Sequence, residues 1–171
     1  MKLDQRLQSI RLILSDIDGV MSDGGIIYDN QGFESKQFHV RDGLAIKLWR
    51  QAGNQFGVIT ARSSHVVKVR MSELGVDFVR QGMEDKLATA MELLQLIKLG
   101  PEQVCYIGDD LPDLKLLKAV GLAATVADAV VEVRNVAHYV TKASGGRGAI
   151  RELVETILKS QGRWSEIVQE Y

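Results

Sequence analysis

Short apolar runs, each closed by a polar residue, alternate along this chain with longer amphipathic stretches. Leu12-Ile13-Leu14 ends at Asp16, Phe56-Gly57-Val58-Ile59 at Thr60, and Asp77-Phe78-Val79 near Gln81. Val104 to Ile107 runs into Gly108-Asp109-Asp110, Gly121 to Val126 ends at Asp128, and His138-Tyr139-Val140 ends at Thr141. The first and fourth runs are nearly continuous in apolar residues, as strands buried on both faces are. Helical periodicity fills the intervals, over 43–52, 64–74, 84–98, 111–118, 128–135 and 148–160. Within 84–98, Leu87, Met91, Leu94 and Ile97 share a face and read as core rather than a cofactor box. Gly100-Pro101 stops that helix. Strand–helix alternation predicts an α/β fold, a doubly wound parallel sheet, over a single domain spanning 1–171.

One segment breaks the rhythm. Ile26-Ile27-Tyr28, the polar Asp29-Asn30-Gln31-Gly32, and Phe33 to Val40 predict a β-hairpin, about 24–41, directly after the first strand. Charge narrows the range of partners. Lys plus Arg number 21 and Asp plus Glu 22, a net charge of −1. That balance supplies no global attraction to nucleic acid or to an anionic membrane. Cys105 is the one cysteine; it sits in an apolar strand and reads as a buried structural thiol. The N-terminal MKLDQRLQSIRLIL is charged throughout, and no run approaches the roughly 18 apolar residues of a membrane span. A soluble, cytoplasmic protein is the expectation.

In open α/β sheets, ligands bind beyond the carboxyl ends of the strands. The polar residues there are Asp16, Asp18, Thr60, Lys86, Asp109, Asp110 and Asp113. Any one of these aspartates would also suit a helix N-cap or a turn. Together they gather carboxylates along one sheet edge, where mutual repulsion calls for a counter-charge. Oxygen ligands without Cys or paired His favour Mg²⁺ over zinc.

The ordered set resembles the haloacid dehalogenase-like phosphatases. Asp16-Ile17-Asp18-Gly19-Val20 is similar to the first motif of that superfamily. Thr60 in Val58-Ile59-Thr60-Ala61-Arg62 is similar to the second, Lys86 to the third, and Gly108-Asp109-Asp110-Leu111-Pro112-Asp113 to the fourth. The resemblance implies that Asp16 is a nucleophile forming an aspartyl-phosphate. It implies that Asp18 is the general acid and then the base, and that Thr60 donates to a phosphoryl oxygen. Lys86 would offset charge on Asp16 and the phosphoryl group. Mg²⁺ would be held by Asp16, the backbone carbonyl of Asp18 and Asp109, with Asp110 and Asp113 in or near the outer shell.

Within the superfamily, the chain resembles the cap-less phosphatases of 3-deoxy-D-manno-octulosonate 8-phosphate (KDO 8-phosphate), from lipopolysaccharide sugar synthesis. No large cap follows the first motif, only the hairpin. His39-Val40-Arg41-Asp42-Gly43 is similar to the base of that family's flap, and Arg62 stands just after Thr60-Ala61. Ser144-Gly145-Gly146-Arg147-Gly148-Ala149-Ile150-Arg151-Glu152 is similar to the stretch before its last helix. Ala61 stands where the family often has Gly, and His39 where relatives carry Asn.

The implied substrate is a sugar acid phosphate, anionic at both ends. Its implied contacts are Asp18, His39, Val40, Arg41, Asp42, Gly43, Lys47, Arg62, Arg70, Lys86 and Asp110, with Arg suited to a carboxylate. His65 and His138 read as structural or exposed. The family resemblance also implies a homotetramer whose hairpins pack together and whose active sites borrow residues from neighbours. A lone two-stranded hairpin is marginal in water, and this one carries Ile26, Ile27, Phe33 and Phe38. The alternative is a hairpin folded onto its own domain. Arg147 belongs either to a loop that meets substrate or neighbour, or to a plain helix-starting turn. The tail, about 161–171 with Trp164 and Tyr171, either docks on a neighbour or frays.

Three other readings compete. A phosphatase of nine-carbon ulosonate 9-phosphates shares the cap-less form, but that branch tends to carry Glu where Arg62 stands. A phospho-acceptor signalling domain uses Asp, Mg²⁺, Thr and Lys in a different order. A non-catalytic oligomeric scaffold has no need of the complete set.

Overall fold

The computed structural model describes residues 2–170. Helix α1 (Leu3–Ser9) leads into strand β1 (Leu12–Ser15), then the hairpin strands β2 (Ile27–Tyr28) and β3 (Glu34–Ser35). Next come α2 (Val40–Gln51), β4 (Gln55–Ile59), α3 (His65–Leu74), β5 (Phe78–Arg80) and α4 (Lys86–Ile97). Strand β6 (Val104–Gly108) is followed by a 3₁₀ turn (Leu111–Asp113) and the short α5 (Leu114–Leu117). The chain closes with β7 (Leu122–Thr125), α6 (Val131–Val136), β8 (Tyr139–Val140), α7 (Ala149–Ser160) and α8 (Trp164–Gln169).

Six strands form one parallel sheet in the order β5-β4-β1-β6-β7-β8. The chain builds outward from β1 through β4 and β5, then returns to build the other half from β6. The reversal leaves a crevice at the carboxyl end of β1, where such sheets bind ligands. Leu12, Ile13, Leu14, Cys105, Tyr106 and Ile107 are fully buried in the two central strands, as their apolar runs require. Burial pushes the Cys105 thiol far above its ordinary pKa, so it is inert packing. In α7, Ala149, Ile150, Leu153, Val154, Ile157 and Leu158 form a buried stripe at helical spacing. Each large apolar side chain so buried contributes about 1.5–3 kcal/mol.

Several differences from the sequence reading have local causes. Helix α1 buries only Leu7, so it left little periodic signal. The expected helix 111–118 is split, because Asp110 and Asp113 cap a 3₁₀ turn that carries Pro112. Over its described part the tail forms α8, which rests on its own chain through Trp164 and Ile167. Trp164 packs on the core beneath Arg151, whose guanidinium lies 4.9 Å from the ring centroid. Tyr171 lies outside the described residues. His138 is structural, its Nδ1 accepting from the Ala123 amide at 2.9 Å, and His65 is exposed at the start of α3.

The hairpin packs on its own chain only in part. Phe38 packs against the core, while Ile26, Ile27, Tyr28 and Phe33 stay more than half exposed. The Gly145-Gly146 loop lies on the backbone after β1: a Cβ on Gly145 would come within 1.9 Å of the Gly19 carbonyl oxygen. Glycine is required there by close approach, and the loop braces the crevice from below.

Candidate active site

Asp16 follows β1 directly, and its amide continues the sheet ladder by donating to the Ile107 carbonyl at 3.0 Å. Its Oδ1 accepts from the Ile17 amide at 2.7 Å, and its Oδ2 from Lys86 Nζ at 2.6 Å. Lys86 opens α4, is almost wholly buried, and donates also to Asp113 Oδ1 at 2.6 Å. Burial opposes the Lys86 ammonium, but the Asp16 and Asp113 carboxylates outweigh it and hold its pKa above the ordinary value. Burial raises the Asp16 pKa, Lys86 partly offsets that, and Asp113 adds to it.

Asp113 organises the acidic side. Its Oδ1 also accepts from the Tyr106 hydroxyl at 2.5 Å, and its Oδ2 from the Asp109 and Asp110 amides at 2.9 and 3.2 Å. Both oxygens are thus committed to shaping the loop after β6. Carboxylate oxygens of Asp16, Asp109 and Asp113 lie within 4.8 Å of one another. Burial, then the charges of Asp113, Asp16 and Asp110, push the Asp109 carboxyl up to about 7. Gly19 faces Asp109 at φ +85°; a Cβ there would come within 2.0 Å of Asp109 Oδ2.

An excess of buried negative charge, all of it on oxygen donors, fits Mg²⁺. Asp109 predicts how that fit depends on pH. Without metal, its folded pKa is raised above the unfolded value. This group's contribution to stability therefore falls as pH rises from about 4 to about 7. Mg²⁺ should displace the proton, so apparent Mg²⁺ affinity is expected to climb with pH and level off above about 7. Calorimetric Mg²⁺ titrations in buffers of different ionisation enthalpy should report a released proton at pH 6 and almost none at pH 8.

Asp16, Asp18, Thr60, Arg62, Lys86, Asp109, Asp110 and Asp113 line one cavity of about 330 Å³. Thr60 is held there by backbone hydrogen bonds, its amide donating to Arg80 and its carbonyl accepting from Met83. Asp18 points toward the hairpin, where its carboxylate meets Lys36 and stands 3.4 Å from Arg62 Nε. Asp110 caps the following turn from the rim, its Oδ1 accepting from the Leu111 amide at 2.7 Å.

Other expected contacts do not reach this cavity within one chain. Asp42, in α2, is buried against the start of α7, its Oδ1 accepting from the otherwise unpaired Arg151 amide at 2.8 Å. Arg70 crosses Gly43, where a Cβ would come within 2.4 Å of its Nη2, and pairs with Glu73 at 2.8 Å. Lys47 lies exposed in a separate depression beside Glu73. Val40 is 77% exposed. His39 caps α2 and lines, with Arg41 and Arg147, another cavity of about 370 Å³; Arg147 also stands 3.6 Å from Asp23.

The sequence reading missed Tyr28, Glu34, Lys36, Ser64 and Tyr106. Tyr106 carried a signal, as a polar-tipped ring inside an apolar strand. Glu34 and Lys36 stand two apart in an extended segment and so share a face.

A model of the haloacid dehalogenase-like hydrolases matches residues 76–153. The KDO 8-phosphate phosphatase of Yersinia pestis is 45% identical over 159 residues, covering 93% of this chain and 85% of that protein. The structure of the Moraxella catarrhalis KDO 8-phosphate phosphatase, in complex with magnesium, phosphate and KDO, matches with a TM-score of 0.96 at 39% identity. That match covers 98% of this chain and 96% of the other. The cobalt-bound enzyme of Haemophilus influenzae matches with a TM-score of 0.91 at 38% identity, over 94% of each chain.

Proposed function

Because this chain belongs to the KDO 8-phosphate phosphatases of the haloacid dehalogenase-like superfamily, we infer that it hydrolyses KDO 8-phosphate to KDO and inorganic phosphate with Mg²⁺ as cofactor. The observation that carries the reading is the Asp16–Lys86–Asp113 chain of hydrogen bonds at the switch point of the sheet.

We assign the roles as follows. Asp16 Oδ attacks phosphorus while the sugar oxygen departs, and Asp18 gives that oxygen its proton, since an alkoxide leaves poorly unprotonated. Asp18 then takes a proton from water; the water oxygen bonds to phosphorus and the bond to Asp16 breaks. Lys86 keeps Asp16 aimed and balances its charge, and Thr60 donates to a phosphoryl oxygen. Asp16, the Asp18 carbonyl and Asp109 would hold Mg²⁺, which supplies positive charge against the phosphoryl oxygens. Arg62 takes the substrate carboxylate, and Asp110 lies at the rim for a sugar hydroxyl.

The chain 1–171 would act as one domain, in the cytoplasm, as a homotetramer. The exposed Ile26, Ile27, Tyr28 and Phe33 support that assembly, since a shared hairpin bundle removes them from water. His39, Val40, Arg41, Lys47 and Arg70, outside the cavity of their own chain, would serve a neighbour's substrate. No helix among the described residues is long and apolar enough to cross a membrane.

The test compares phosphate release from KDO 8-phosphate, a nine-carbon ulosonate 9-phosphate and glucose 6-phosphate, with Mg²⁺ and with chelator. The eight-carbon acid should lead in kcat/KM by at least about tenfold, and chelator should abolish its turnover. Preference for the nine-carbon acid would keep the chemistry and overturn the substrate.

A further inference from the structure

The hairpin grips the Arg62 guanidinium from one side. Arg62 Nη2 donates to Glu34 Oε1 at 2.8 Å and to the Tyr28 hydroxyl at 3.1 Å. The other Glu34 oxygen accepts from the Ser64 hydroxyl, and Ser64 is the buried N-cap of α3. Glu34 therefore ties the hairpin to the loop after Thr60. Lys36 stands 3.4 Å from Glu34 Oε1, and its side chain is fully shielded from solvent between Glu34 and Asp18. The Ser64 hydroxyl most of all, with Arg62 and Lys36 adding to it, holds the Glu34 carboxyl below its usual pKa against the opposing effect of burial.

On the same edge of the guanidinium, Nε is buried and stands 3.4 Å from Asp18 Oδ2. The hydrogen bonds of Arg62 run through Nη2, which leaves Nη1, on the other edge of the fork, without one among the described residues, and Arg62 lines the Asp16 cavity. Guanidinium carries five donors in a rigid plane, so a clamp at Nη2 fixes where the others point. A free arginine would lose rotamer freedom on meeting an anion; a clamped one has already lost it.

We propose that Glu34 is a specificity-determining positioning residue, which fixes the Arg62 fork from behind and so tunes the pocket for a phosphate ester bearing a carboxylate. The inference rests on the assignment of Arg62 to the substrate carboxylate. Glu34 touches no reacting atom. Its effect reaches substrate through Arg62 and is felt only by substrates that use Arg62. Esters without a carboxylate gain little from the clamp.

The test uses the full-length enzyme with Mg²⁺. It measures kcat and KM for KDO 8-phosphate and for p-nitrophenyl phosphate, which has no carboxylate. The variants are Glu34→Gln, Arg62→Ala and the double substitution. Glutamine preserves shape and an acceptor for Ser64 while removing the charge that holds Arg62. Glu34→Gln should raise KM for KDO 8-phosphate about tenfold with kcat within about twofold. The ratio of kcat/KM between the two substrates should fall by about the same factor, which a general loss of folded enzyme would not change. In the Arg62→Ala background, Glu34→Gln should lower that ratio no further.

If the ratio holds in Glu34→Gln but collapses in Arg62→Ala, Glu34 has no such role and Arg62 keeps its assignment. A ratio that holds in both overturns the Arg62 assignment and this inference with it. Losses that add in the double variant would overturn action through Arg62.

Discussion

Asp16→Asn should abolish phosphate release from KDO 8-phosphate, by at least about 10⁴-fold, without unfolding the chain. Asparagine keeps the shape of the side chain and an acceptor for the Ile17 amide. It cannot supply the carboxylate oxygen that must bond to phosphorus. Burial raises the Asp16 pKa against the opposing pull of Lys86, so its charge costs more in the folded chain than in the unfolded one. Removing that charge also relieves repulsion from Asp113, while Lys86 keeps Asp113 as a partner. Thermal denaturation of the variant should therefore show a midpoint no lower than the parent's. Loss of activity together with loss of folding would point to a structural role for Asp16.

Lys86→Met should damage both activity and stability. The ammonium joins Asp16 Oδ2 and Asp113 Oδ1 in a buried site, and among the described residues nothing else cationic touches either carboxylate oxygen there. Leaving buried carboxylates unpaired costs about 3–5 kcal/mol. Loss of a positive charge aimed at the transferring phosphoryl group should lower kcat by about 10²–10³-fold. The pH dependence distinguishes this from a simple packing defect. In the parent, the raised Lys86 pKa gives a contribution that is fully present below the unfolded lysine value and lost only in strong alkali. In the variant, Asp16 loses the cation that opposes the rise in its pKa and takes up a proton more readily. Urea denaturation should then show stability rising as pH falls from 8 to 5, where the parent changes far less.

The parallel sheet was legible because its central strands are buried on both faces, which Leu12-Ile13-Leu14 and Val104 to Ile107 show as nearly unbroken apolar runs. The acidic residues of the site were legible for a related reason, since each stands where an apolar run stops. The hairpin was visible as an interruption, but its inward face was not. Glu34, Tyr28 and Lys36 acquire their roles only when the hairpin folds back over Thr60 to Ser64, a contact between segments far apart in sequence. The partner of Asp42 was hidden for the same reason. The position of Asp42 within a motif-like segment suggested substrate, whereas the amide it serves belongs to Arg151, at the opposite end of the chain. Arg70 follows Arg62 at a spacing compatible with one helix face, but Arg62 precedes α3, so the two never shared a helix. Helix α8 was obscured by its length, since Trp164 and Ile167 make too short a pattern to read.

The central claim is that phosphate passes through a covalent bond to Asp16. Labelled KDO 8-phosphate, mixed with excess enzyme and Mg²⁺ and quenched in acid within milliseconds, tests it directly. Borohydride reduction of the quenched protein followed by peptide mapping identifies the residue that carried the acyl-phosphate. The account predicts transient label, with the reduction mark on Asp16 in the parent and none in Asp16→Asn. A mark on Asp109 or Asp113 instead, or single-turnover phosphate release with no protein-bound label at any quench time, would contradict it.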